Sequence, residues 1–188
     1  MKEKKWLIPL IAAGIVGTGF AIYFIARNRK STPFIYNPAL SSSAKIKAWI
    51  DWMTPNAKRI GKKYGLPWQA LVAQTGWETG WGKSTLASEA FNFAGIKAIG
   101  NEPYVIKRTH EYRNGVKVYE DAKFRKFSNL DEGLEEYGNF FIRNPRYAQA
   151  LKYPNDPYQF IVEIRKAGYA TSPTYITNLH GVLDKYFA

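Results

Sequence analysis

The sequence predicts an α+β domain in which helices dominate and one β-hairpin interrupts them. Two observations support this fold class. Apolar residues recur at helical spacing before and after residues 103–127. That segment itself is rich in β-branched and aromatic residues around Asn114-Gly115, a dipeptide typical of hairpin turns. The chain has 188 residues, of which 46% are hydrophobic and 16% aromatic, which is enough to build one domain with a filled core.

The amino-terminal part of the chain is predicted to anchor the protein in a membrane. Residues 6–26 carry no charge, and a run of this length can span a bilayer as a helix. Residues 1–5 form a short polar terminus, and residues 27–43, which are rich in Ser and Pro, form a linker. A cleaved signal peptide is the alternative, but its apolar region is usually shorter, about 7–15 residues.

We expect the folded domain to occupy residues 44–188. Its first helix has apolar residues at helical spacing over 46–64 and ends at Gly65. A second helix follows Pro67, which suits a first helical turn. Strands are predicted at roughly 104–113 and 116–126. Three helices come after the hairpin: one that Asn144-Pro145 closes, one near 157–167 and one that Ser172-Pro173 opens.

Glu78 is the candidate catalytic acid. Leu71, Thr75 and Glu78 follow at steps of four and three, so they share one face of a helix that Gly80 and Gly82 would end. This position predicts a partly desolvated carboxyl with a raised pKa, and the negative end of the helix dipole acts in the same direction. An acid that keeps its proton near neutral pH can protonate the leaving oxygen of a glycosidic bond. A solvated surface charge is the alternative interpretation.

Two tryptophans flank this acid, at Trp77 and Trp81. A flat indole can cover the apolar C–H face of a sugar ring, and neighbouring glycines let a bulky polymer approach the backbone. The alternative is that Trp77 is an ordinary core residue.

The segment at 71–98 resembles the signature of family 73 glycoside hydrolases, the bacterial peptidoglycan N-acetylglucosaminidases. AQTGWETGWG (73–82) and FNFAGIKA (91–98) follow each other in the family's order. The similarity continues to AGYATSPTYITNLHGVLDKY (167–186) and covers essentially residues 44–188. This resemblance implies a lysozyme-like fold, with a cleft between a helical lobe and a small β lobe.

The resemblance also implies the roles of individual residues. Glu78 matches the general acid of the family, and Tyr169 matches a tyrosine near that acid. Glu111, in RTHEY (108–112), matches a second carboxylate, and Glu120 and Asp121 are its rivals. The candidates for substrate binding are Trp77, Trp81, Asn92 and Tyr112.

The implied reaction is that of an endo-β-N-acetylglucosaminidase, which hydrolyses the β-1,4 bond after N-acetylglucosamine in peptidoglycan with no metal and no organic cofactor. Glu78 would protonate the leaving oxygen while Glu111 activates a water. In another route the substrate's own acetamido group attacks and Tyr169 steadies it. Two alternative functions stay open: a lytic transglycosylase that acts after N-acetylmuramic acid, and a non-catalytic wall-binding module, which would not need Glu78.

The composition limits the partners. The chain has no cysteine and only two histidines, His110 and His180, which argues against thiolate chemistry and a histidine-rich metal site. The net charge of +12 favours an anionic partner such as a wall polymer or anionic lipid. No nucleic-acid-binding motif accompanies the basic residues. We expect peptidoglycan and a lipid bilayer, through residues 6–26, as partners.

We expect the catalytic domain to lie outside the cytoplasm, in a cell envelope or in a membrane-containing virion. Basic residues flank both sides of residues 6–26, so their charges leave the topology open. The sequence does not indicate an oligomeric state.

Overall fold

The structure, a computed structural model, describes residues 32–113 and 116–188, without the side chains of residues 110–113 and 117. Three helices precede the hairpin: α1 (Ser42–Tyr64), α2 (Trp68–Thr79) and α3 (Thr85–Ala90). The hairpin consists of β1 (Tyr104–Arg113) and β2 (Val116–Arg125). The chain then forms α4 (Leu130–Arg143), 3-10 turns at Pro145–Tyr147 and Ala150–Lys152, α5 (Pro157–Lys166) and α6 (Tyr175–Tyr186).

The predicted order of helices and strands is confirmed, and the additions are the short helix α3 and the two 3-10 turns. Both strands lie within one residue of their predicted bounds. The predicted anchor at 6–26 and the turn at Asn114-Gly115 lie outside the described residues. In the part of the chain that is described, no helix is both long and apolar enough to cross a membrane.

Helix α2 forms the centre of the core. Every residue from Ala70 to Gly76 is buried, so the helix is covered on all sides rather than along one stripe. It contacts α1, α5 and α6. Gly65, which is left-handed with φ 66°, ends α1 as predicted and reverses the chain into α2. The acid at the end of α2 therefore projects from a rigid support.

Part of the predicted linker packs against the domain. Phe34 lies with its ring centroid 5.0 Å from that of Trp49 and 5.3 Å from that of Trp52. The indole N–H of Trp52 donates a hydrogen bond to the carbonyl of Thr32 at 2.8 Å. Residues just before α1 thus contribute to the aromatic packing of the domain.

The hairpin is antiparallel, and its register places Thr109 opposite Glu120 and Glu111 opposite Val118. Phe124 of β2 is buried and anchors the hairpin to the helices. The loop after α3 runs along β2, because the N–H of Ala98 bonds to the carbonyl of Lys123 at 3.0 Å. These contacts hold the hairpin beside the end of α2.

Candidate active site

Glu78 lies in the last turn of α2, where the chain makes a sharp turn. Gly80, Trp81 and Gly82 are all left-handed, with φ values of 59°, 60° and 84°. A left-handed tryptophan is unusual because its Cβ crowds the backbone. Here the ring of Trp81 packs on Gly76, where an added Cβ would come within 2.4 Å of the ring. The glycine therefore makes room for the ring and stabilises the turn that follows the acid.

The side chain of Glu78 is exposed, which corrects the expectation of a half-buried carboxyl. Leu71 and Thr75, on the same face of α2, are buried as predicted. Thr79, in the same last turn, is buried as well, so Glu78 is exposed because it lies on the side of α2 that faces the groove. Folding of the domain alone therefore does not withdraw this carboxyl from water.

Glu78 nevertheless stands in a groove between the helices and the hairpin. One part of the groove, of about 510 Å³, extends past Trp77, Tyr169 and Asn178. A second part, of about 380 Å³, extends the other way past Ser84 and Lys107. Both parts are lined by the same four residues, Glu78, Gly95, Thr109 and Phe124. The groove therefore continues on both sides of the carboxyl.

Three tyrosines lie close enough to Glu78 for its negative charge to raise the pKa of their hydroxyl groups. Burial raises the pKa of Tyr137 well above its usual value, and the charge of Glu78 raises it further. Burial and the charge of Glu78 act in the same way on the pKa of Tyr169 and of Tyr175, together with neighbouring tyrosines. All three phenols consequently stay protonated at neutral pH and remain hydrogen-bond donors.

Two of these phenols have hydrogen-bond partners that fix their positions. The hydroxyl of Tyr169 donates to the carbonyl of Ala94 at 3.0 Å, and its ring stacks on Phe141. Tyr137 donates to the side-chain oxygen of Gln74, one turn before Glu78 on α2. Sequence reasoning missed Gln74, although a polar residue inside an otherwise apolar helix was a usable signal.

The two tryptophans have different surroundings. Trp77 is 42% exposed and lines the groove, so its indole is accessible there. Trp81 is half-buried and packs against the core. The groove wall beside Glu78 is thus formed by Trp77, and Trp81 supports the turn behind it.

Asn92 does not face the groove. Its side chain is 1% exposed, and its amide nitrogen donates to the carbonyls of Ile96 and Arg125 at 2.8 and 2.9 Å. Its amide oxygen accepts from the N–H of Ile96 at 2.9 Å. This geometry disagrees with the expected substrate contact. Asn92 instead ties the loop that lines the groove to strand β2.

The candidates for the second carboxylate lie on the hairpin. Glu111 follows Thr109 by two positions in β1, so alternation places both positions on the same face of the hairpin. The side chains of Glu111 and of its neighbour Tyr112 lie outside the described part of the structure. Glu120 is opposite Thr109 and pairs with Lys97 at 3.3 Å, whereas Asp121 is exposed on the other face.

His180 has a structural environment. Its Nε2 lies 3.2 Å from the carbonyl of Tyr158, whose ring meets the imidazole edge-on. Among the side chains that the structure describes, no group of three or more His, Cys, Asp or Glu is placed to hold a metal ion.

Comparisons with known proteins agree on the family. Residues 54–188 match the Glucosaminidase family, described as mannosyl-glycoprotein endo-β-N-acetylglucosaminidase. The chain is 36% identical over 141 residues to the peptidoglycan hydrolase FlgJ of Pseudomonas aeruginosa, covering 72% of this chain and 35% of that protein. It is 27% identical over 191 residues to the exo-glucosaminidase LytG of Bacillus subtilis, covering 99% of this chain and 66% of LytG.

A solved structure shows the same fold. A mutant of a peptidoglycan hydrolase from Sphingomonas sp. A1 superimposes with a TM-score of 0.66 and 32% identity, covering 73% of this chain and 92% of that one. The chain spans less than half of the FlgJ relative and about two thirds of LytG. The turn after Glu78, the groove and these matches together show that the chain belongs to the glucosaminidase family, family 73 of the glycoside hydrolases.

Proposed function

We propose that this protein is a peptidoglycan hydrolase that cleaves the β-1,4 bond after N-acetylglucosamine in glycan strands. The observation that carries the proposal is the position of Glu78 at the middle of a groove that continues in both directions. Such a groove suits a polymer whose reacting bond lies between bound sugars on either side. The names of the relatives support the substrate class. Cleavage is proposed to be internal (endo), because the groove continues on both sides of Glu78. Terminal cleavage is the alternative that the name of the exo-glucosaminidase LytG suggests.

In the proposed reaction Glu78 protonates the leaving oxygen. Because its side chain is exposed, the glycan itself supplies the desolvation when it fills the groove and displaces water. The exposed indole of Trp77 then covers one sugar face beside the acid. Binding of the polymer, rather than folding, thus removes water from the carboxyl and favours the protonated form that a proton donor needs.

Glu111 is the proposed base that activates water, with Glu120 and Asp121 as rivals. Inversion requires the two carboxyls to be roughly 6.5–9.5 Å apart, whereas a retaining nucleophile requires about 5–5.5 Å. A two-stranded hairpin can close over a bound strand and set this distance. The substrate-assisted route dispenses with the second acid and uses Tyr169, which lines the groove.

A glutamine substitution tests the role of the acid. Glu78→Gln keeps the size of the side chain and removes the transferable proton. We expect the variant to fold and its turnover on purified cell walls to fall at least about 100-fold, since general acid catalysis typically contributes this much or more. Zymography of the purified domain would measure it. Asp51→Asn, an exposed carboxyl on α1, serves as the matched control.

The products separate the proposal from its alternatives. Mass spectrometry of muropeptides released by the wild type should show reducing N-acetylglucosamine ends. Ends with 1,6-anhydro-N-acetylmuramic acid would identify a transglycosylase, and a wild type that binds walls without clearing them would identify a binding module. Undiminished clearing by Glu78→Gln would remove this residue from its role.

The proposed location is the outer side of a membrane, with residues 6–26 as the anchor. Its support is the uncharged length of that segment and the fact that peptidoglycan lies outside the cytoplasm. Either a cell envelope or a membrane-containing virion fits this arrangement.

A further inference from the structure

A separate cavity of about 670 Å³ adjoins the groove. It shares four lining residues with the groove: Ala94, Gly95, Lys97 and Tyr169. On the far side of these residues its wall carries Arg125, Arg143, Arg146 and the ring of Tyr147. We call this cavity the arginine pocket. When a glycan is bound in the groove, a side group that branches from it can therefore reach into the arginine pocket.

The arginine pocket carries an excess of positive charge. Its lining includes four cationic side chains, those of Lys97, Arg125, Arg143 and Arg146, and two carboxylates, those of Glu102 and Glu136. Arg125 and Arg143 both bond to Glu136, so one carboxylate serves two guanidinium groups. Glu102 lies at the longer distance of 3.5 Å from Arg125.

Arg146 is the cation best placed to meet a ligand. It forms no ion pair with the side chains that the structure describes, and its guanidinium lies 4.6 Å from the ring centroid of Tyr147. Contact with the ring and the planar shape of the guanidinium both reduce the conformational freedom that Arg146 loses when it binds a carboxylate.

We infer that the arginine pocket binds a carboxylate of the stem peptide that peptidoglycan carries, an inference that rests on the proposed function. Every second sugar of the strand bears a peptide on its lactyl group, and these peptides end in free carboxylates. A planar guanidinium can bind a carboxylate through two parallel hydrogen bonds. The pocket therefore makes the enzyme prefer strands that still carry their peptides.

The test compares two substrates that differ only in their peptides: intact glycan strands, and the same strands after an amidase has removed the peptides. We expect the wild type to show a kcat/KM about tenfold higher on intact strands, as one charge-assisted contact allows. Arg146→Gln should lose this preference while its activity on stripped strands stays within about twofold of wild type. Lys62→Gln, which removes one exposed charge from α1, should keep it.

Equal cleavage of both substrates by the wild type would overturn the inference. An equal loss of activity on both substrates in Arg146→Gln would also overturn the inference, because the pocket would then bind sugar rather than peptide. Binding of both strand types to Glu78→Gln provides a readout that needs no hydrolysis. A preference for intact strands in that binding, lost on further substitution of Arg146, supports the pocket even if the proposed reaction fails.

An anionic wall polymer is the competing ligand. If added wall teichoic acid inhibits the wild type but not Arg146→Gln, and intact strands show no advantage, the pocket recognises phosphodiesters and the stem-peptide assignment is wrong. Arg146→Lys keeps the charge without the planar fork, and we expect it to retain only part of the preference for peptide.

Discussion

At the scale of single residues, the site depends on where a helix ends. Glu78 continues the face of Leu71 and Thr75, yet it is exposed while they are buried. The difference arises because Glu78 lies on the side of α2 that faces the groove, whereas Thr79 in the same turn stays buried. The charge of Glu78 still acts on the buried phenols below it, so the carboxyl is close to the core without being inside it.

The second carboxylate can be identified by a matched pair of substitutions on the hairpin. We expect Glu111→Gln to lose most activity on cell walls, since it removes the proposed base, and Glu120→Gln to retain most of it. Glu120 already pairs with Lys97, which favours a structural role. Turnover on purified walls, with thermal unfolding as the control for folding, measures both. Near-normal turnover in Glu111→Gln combined with a large loss in Tyr169→Phe would instead support the substrate-assisted route.

At the scale of helices, α1 and α4 are joined by a polar cluster on an otherwise apolar contact. Gly138 of α4 lets the ring of Tyr64 approach, since an added Cβ would lie 2.3 Å from it. The Tyr64 hydroxyl then donates to Glu135 at 2.6 Å, and Lys63 and Arg59 pair with the same carboxylate. Three donors on one acid fix the relative position of the two helices.

This cluster makes stability depend on pH in a defined direction. Burial acts to raise the pKa of Glu135, but the hydrogen bonds from Lys63 and Tyr64 and the charges of Lys63 and Arg59 outweigh it and lower the pKa below its ordinary value of 4.5. A lowered pKa in the folded state stabilises the fold above the unfolded value. That contribution is lost as pH falls through the folded pKa.

We expect Glu135→Gln to destabilise the domain at pH 7 by about 1–2 kcal/mol, since it weakens hydrogen bonds made to a charged group. The gap between variant and wild type should shrink as the pH falls below 4.5, the ordinary value for this carboxyl. Chemical denaturation at a series of pH values would measure it. A gap that does not change with pH would contradict the role of the ionised carboxylate. Asp51→Asn, in an exposed pair with Lys47, should change stability little.

At the scale of the whole molecule, a buried helix and a surface hairpin form the two walls of the groove. Helix α2 is enclosed by α1, α5 and α6. The hairpin is held by the buried Phe124, by backbone bonds to the loop after α3, and by side-chain pairs such as Lys107–Glu89 and Arg125–Glu136. Glu78 therefore lies on a wall that three helices enclose, and the candidate bases lie on a wall that packs against fewer helices. This difference suits a site that closes on a polymer.

The anchor is a prediction about the whole chain. We expect full-length protein expressed in a bacterium to sediment with membranes and to resist extraction by high salt. A chain that lacks residues 6–26 should be extracted readily, because the uncharged segment supplies the apolar length that holds a helix in a bilayer. Protease treatment of spheroplasts would report the side that the domain occupies. Extraction of the full chain by salt alone would contradict the anchor.

Sequence patterns within single segments were sufficient to predict most of the helices and strands of this protein, as well as its candidate acid. Helical spacing, Gly65 and the hairpin dipeptide predicted the elements, since each depends on neighbours a few residues apart. The residues around Glu78 predicted the acid and the family by resemblance to a long motif. Local spacing could also assign Leu71 and Thr75 to the core, because a continuous helix repeats its face every turn.

Only the tertiary structure decided how those segments meet. The exposure of Glu78 depends on where other helices stop covering α2, and the burial of Asn92 depends on a bond to Arg125 of β2, 33 residues away. The arginine pocket likewise joins the loop after α3, strand β2 and the end of α4. Such features arise from contacts between distant parts of the chain, and they cannot be predicted from the spacing of residues along one segment.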